Sequence, residues 1–65
     1  MKYPEVGDKI AFRLDNKWEG KGKVVPFNII LPKKAFNVKL DEPCKEFDTG
    51  EEIIVWLEEI TACHA

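Results

Sequence analysis

Few side chains in this sequence could do chemistry, and their spacing is poor for it. His64 is the only histidine, and it follows Cys63 directly with Cys44 far upstream. A general base must be held firmly beside the proton it takes, and residues near a chain end are rarely held that way. Cys44, Cys63 and His64 also fall short of a zinc set, which takes four ligands in close pairs such as Cys-x2-Cys. Two protomers would have to supply the ligands jointly. Gly20-Lys21-Gly22 leads into no helix, so it is no phosphate loop. Asp41, Glu42, Glu46, Asp48, Glu51 and Glu52 crowd one segment, but without the offsets and central glycine of a calcium loop. They read as a solvated acidic loop. No catalytic residue, cofactor or metal site is assigned, and the expectation is a protein that is not an enzyme.

The aromatic and basic residues carry more. Trp18, Phe27 and Trp56 flank turns, with Ile29, Ile30 and Ile54 nearby in the sequence. Tryptophan is enriched in interfaces, so these six form a candidate partner-binding set. The alternative for the tryptophans is structural, with Trp56 in the core and Trp18 over one end. Lys17, Lys21 and Lys23 surround Trp18 and combine cation with aromatic, as a stacking platform for nucleic acid requires. Against that stand a pI near 5.3 and a single arginine, because phosphate recognition favours positive charge. Residues 1–40 carry nine Lys and Arg against four acids, whereas residues 41–65 carry Lys45 against eight acids. The split suggests a basic and an acidic face, or two halves that neutralise each other on interleaving.

The elements that must position these residues are strands. Ile10, Phe12 and Leu14 alternate with Lys9, Ala11 and Arg13, a period of two with one apolar side. Asp15-Asn16-Lys17 is a polar turn. Trp18 to Val25 holds Gly20 and Gly22, which clear one side of a strand for a bend or a close neighbour. Prolines at 26 and 32 bracket Phe27-Asn28-Ile29-Ile30-Leu31, which reads as a short strand or an apolar loop. Phe36, Val38 and Leu40 alternate with Asn37 and Lys39 and are expected inside. Phe47 is the apolar pin of the acidic connection. Residues 52–57 read as a strand, apolar on both faces from 53 to 57, so either Ile53, Val55 and Leu57 point in and Ile54 and Trp56 point out, or the reverse. Leu57-Glu58-Glu59 is one tight turn and Ile60 to Cys63 a last strand. The β-branched and aromatic content of residues 51–60 favours strand over helix.

Sixty-five residues hold one domain, taken as 1–65. No run is long enough to cross a bilayer as a helix. Met1-Lys2-Tyr3-Pro4 lacks the apolar core of a secretory signal, so a cytoplasmic protein with free thiols is expected. A core this small is marginal, which makes self-association an expectation.

Val6-Gly7-Asp8-Lys9-Ile10 resembles the opening of KOW and Tudor-like members of the SH3-like small-barrel superfamily. Trp18-Glu19-Gly20-Lys21-Gly22-Lys23-Val24 is similar to their second strand, and Val55-Trp56-Leu57-Glu58-Glu59-Ile60 to their close. The resemblance covers nearly the whole chain and implies an all-β, five-stranded SH3-like barrel with a short 3₁₀ turn before the last strand. The layout is also similar to the plasmid-borne type II dihydrofolate reductases, which bind substrate in a pore between four protomers with a Val-Gln-Ile-Tyr segment. Here Ile53-Ile54-Val55-Trp56 stands there, without the amide or the phenol, so no catalytic residue carries over. The sequence resembles small proteins of mobile gene cassettes as well, which bears on origin alone.

Three functions follow as expectations. The first is a non-catalytic module that binds a protein or peptide through an apolar-aromatic patch and self-associates as a homo-oligomer. The second is a nucleic-acid-binding module. The third is a pore-type enzyme assembled from several copies.

Overall fold

The computed structural model describes residues 4–26 and 34–64. The strands are β1 (Lys9–Leu14), β2 (Trp18–Val24), β3 (Ala35–Leu40), β4 (Glu52–Trp56) and β5 (Ile60–His64), with a 3₁₀ turn, Leu57–Glu59, before β5. All neighbours are antiparallel, and the five strands lie in the order β4-β3-β2-β1-β5. Among the described residues no ladder joins β4 to β5, so the sheet has two edges.

Alternation along each strand decides what is buried. Ile10, Phe12 and Leu14 face in from β1, Phe36, Val38 and Leu40 from β3, and Ile53 and Val55 from β4. Val24, Cys44 and Ile60 complete the core, with Phe47 and Leu57 packed against it. On β2 the two inward positions next to Val24 are glycines, Gly20 and Gly22. A Cβ on Gly22 would stand 2.5 Å from Val38 Cγ1 and 2.6 Å from the Lys39 carbonyl oxygen. The bare backbone is what lets β3 come that close.

Turn chemistry sets the registers. Asp15 and Asn16 both take positive φ, 53° and 58°, which short polar side chains tolerate. The Lys17 N–H closes that turn on the Leu14 carbonyl at 3.0 Å. At the far end of β3, the Gly50 N–H donates to the Leu40 carbonyl and the Leu40 N–H donates to the Glu51 carbonyl, both at 2.9 Å. Two residues thus oppose one. This is a bulge with glycine at φ 89°, where a side chain would be strained. It fixes the phase of β4, because Glu51 bonds to Leu40 of β3 and the Leu57 N–H reaches the carbonyl of Lys34, the residue before β3, at 2.6 Å.

Candidate functional site

The phase of β4 decides what its free edge offers. Antiparallel ladders alternate, so residues 53 and 55 spend their backbone groups on β3 while 52, 54 and 56 aim theirs away from it. The same residues send their side chains to the outer face. Ile54 and Trp56 are 43% and 45% exposed there. One outward donor is already taken, as the Trp56 N–H donates to Glu59 Oε1 at 2.9 Å. Among the described residues Ile54, in the middle of the strand, has no such cap.

Along this edge runs a groove of about 400 Å³. Ile54, Trp56, Leu14 and Phe47 supply apolar lining. Asp15 and Lys45 line it as well. Lys45 Nζ donates to Asp15 Oδ2 at 2.7 Å, tying the acidic connection to the β1–β2 turn. The contact holds the Asp15 carboxyl below its ordinary range, first by the hydrogen bond and then by the ammonium charge. It raises Lys45 for the same two reasons. Lys45 reaches this place from a turn in which Cys44 and Phe47 exchange backbone hydrogen bonds of 2.9 and 3.0 Å. Its own φ is 56°.

The structure separates the remaining candidates. Trp18 pairs with Leu14 and therefore lies on the inward side of β2, at its end, 40% exposed. Register thus places it on the other face of the sheet from Ile54 and Trp56. The Lys17 ammonium sits 5.1 Å from the Trp18 ring centroid, within cation–π range. Lys21 and Lys23 lie outward on β2, apart from that pair. Phe27, Ile29 and Ile30 lie outside the described residues.

Two features escape a reading of single strands. The first is Asn37, which sits in the outward register opposite Ile54 and is nevertheless buried, 2% exposed. Its amide donates to Glu52 Oε1 at 2.8 Å and to the Pro26 carbonyl at 3.4 Å, which satisfies a polar group that burial would otherwise penalise. Asn37 thus keeps the outward register that alternation implies, yet it is buried among these partners. The second is a row of lysines. Lys9 stands opposite Lys23, and Lys23 opposite Lys39. Alternation signals that each points outward, but only register brings them together.

Neither cysteine is in a disulfide. Cys44 is buried, its Sγ 3.8 Å from the Trp18 carbonyl, and burial pushes its thiol up from the ordinary value. A thiol held protonated is a poor nucleophile. Cys63 Sγ lies 3.7 Å from Asp8 Oδ2.

No family model matches the chain, and neither a curated protein nor a solved structure is significantly similar to it.

Proposed function

We propose that this chain is a non-catalytic interaction module on an SH3-like barrel, which takes a protein or peptide strand along the edge and outer face of β4. The strand order β4-β3-β2-β1-β5 and the 3₁₀ turn before the last strand support the SH3-like reading. The observation that carries the functional reading is the pair Ile54 and Trp56, exposed on an edge strand. Edge strands of stable monomers are usually defended by charge, proline or a bulge within the strand, and the middle of β4 has none of these. An added strand gains backbone hydrogen bonds at Ile54, and its side chains cover the apolar groove.

A second copy of the chain is the partner proposed first. A core of this size gains much from sharing surface, and two β4 edges would pair antiparallel about a two-fold axis. Light scattering over a concentration series tests this on the wild type, Trp56→Lys and Ile54→Lys. The wild-type mass should rise with concentration while both variants remain monomeric. A wild type that is monomeric throughout removes the second copy as partner. Association that survives both substitutions removes the β4 edge as the docking site.

A further inference from the structure

The outer face of the three central strands carries an inference independent of the β4 edge. We propose that Lys9, Lys23 and Lys39 bind the phosphate backbone of a nucleic acid. Directly opposite residues on neighbouring strands share a face, with Cβ atoms about 4.5–5.5 Å apart. The registers Lys9↔Lys23 and Lys23↔Lys39 therefore line up three ammonium groups across β1, β2 and β3. The row spans roughly 10 Å, two inter-strand spacings. All three lysines are exposed.

Among the described residues no ion pair uses this charge. Among the described residues the ion pairs are Arg13 with Glu19 and Lys45 with Asp15, so no acid is paired with the row. Glu52 stands opposite Lys39, but one of its oxygens accepts from the Asn37 amide. Like charges placed directly opposite destabilise a sheet. Three in a line therefore oppose folding, and an anionic ligand would offset them.

The position of the row favours a phosphodiester chain over an acidic protein segment. β1, β2 and β3 are interior to the strand order, and their backbone groups are spent on ladders. A peptide added to a sheet needs a free edge, which this face lacks. What remains is side-chain charge alone, which suits a polymer with an anion on every unit and needs no base contact. Lysine binds phosphate in that manner, as a point charge. Lys21 lies one step along β2 between Ala11 and Asp41, whose N–H donates to the Lys21 carbonyl. It has Ala11 and no lysine opposite it on β1, so it is not part of the row. Lys17 lies outside the row.

Fluorescence anisotropy of a labelled oligothymidylate and of a labelled duplex, titrated with the full chain at several salt concentrations, tests the proposal. Three phosphate contacts predict log K against log salt slopes of about −2 for the single strand and about −3 for the duplex. Lys23→Gln should reduce the steepness of the single-strand slope by about 0.7 and weaken binding several-fold at low salt, with an unchanged circular dichroism spectrum. Lys17→Gln should leave the slope as it is. The proposal is overturned by no anisotropy change at the lowest salt or by a slope that Lys23→Gln does not alter. It is equally overturned by an equal effect of Lys17→Gln, which would implicate net charge, or by polyglutamate competing as well as the oligonucleotide.

Discussion

Replacing Lys23 with glutamate should make the fold more stable. In the wild type Lys23 has Lys9 opposite it on one side and Lys39 on the other. Glutamate turns two repulsive cross-strand contacts into two attractive ones. Such a contact is worth about 0.2–1 kcal/mol, and exposed, flexible side chains hold it near the low end. Each contact counts twice, as repulsion removed and attraction gained, so two contacts near the low end give about 1 kcal/mol, which in a domain of this size raises Tm by about 4–8 °C. The substitution also takes the net charge from −2 to −4, a general repulsion that acts against the gain. Lys21→Glu makes the same change in net charge and so serves as the control. It places a carboxylate beside Asp41, whose N–H bonds to the Lys21 carbonyl, so its Tm should fall. Thermal unfolding followed by circular dichroism reads both variants. In about 1 M salt, where the Debye length is about 3 Å, both shifts should shrink. If the two variants move in the same direction, register is not the cause and the reasoning fails.

Two further outcomes follow from the packing and from the groove. Gly22→Ala places a methyl 2.5 Å from Val38 Cγ1 and 2.6 Å from the Lys39 carbonyl oxygen. Overpacking of that kind costs about 1–3 kcal/mol, more than the roughly 0.4–1 kcal/mol gained by stiffening the unfolded chain. The urea midpoint should therefore drop, and a midpoint at or above wild type contradicts the close approach. The Asp15–Lys45 contact gives the pH dependence. Asp15 is lowered from 3.8 by Lys45, so its contribution is present above that value and is lost as pH falls through the folded-state value. Lys45 is raised from 10.5 by Asp15, so its contribution is present below that value and is lost as pH rises through the folded-state value. Unfolding midpoints of wild type and Asp15→Asn should differ by a constant amount near neutral pH and converge in strong acid. A difference that persists below the carboxylate range would show that the ion pair is not its source.

Local pattern made much of the fold legible. Strict alternation marked Lys9–Leu14 and Ala35–Leu40, and the glycines marked the close approach on β2. The double-sided apolar run placed Ile54 and Trp56 outside once Ile53 and Val55 were inside. What alternation cannot carry is register and environment. It assigns Asn37 outward by polarity, yet its hydrogen-bond partners lie 11 and 15 residues away and bury it. It gives no reason for Lys45 to take a φ of 56°, since no glycine or asparagine marks the position. That backbone is held by the Cys44–Phe47 bridge and by the reach to Asp15. The candidate set was legible in part for the same reason. Trp18 and Trp56 look alike as exposed aromatics, but pairing with Leu14 puts Trp18 on the inward side of its strand. Lys23 was visible as a cation, while its neighbours Lys9 and Lys39 come from strands far away in the chain.

The defences of β4 also constrain how it would be used. Glu59 accepts the Trp56 N–H and so blocks one end of the edge to an incoming strand. Glu52, at the other end, has its side chain engaged with Asn37. Between them, Ile54 presents its N–H and carbonyl together, the pattern of a hydrogen-bonded antiparallel pair. A docking strand would gain few backbone hydrogen bonds from one such pair, each worth about 0.5–1.5 kcal/mol net. On the proposed reading, affinity then rests mainly on burying side chains, and the larger of the two is Trp56, the residue type most often dominant at interfaces. The same arrangement limits uncontrolled strand addition, since an edge open at one pair and closed at its end is a poor template for continuous pairing. Glu59 thus has two effects in one geometry. On the proposed reading it would shorten the edge open to a partner and would leave the energetic weight on the outer face, where side chains would set specificity.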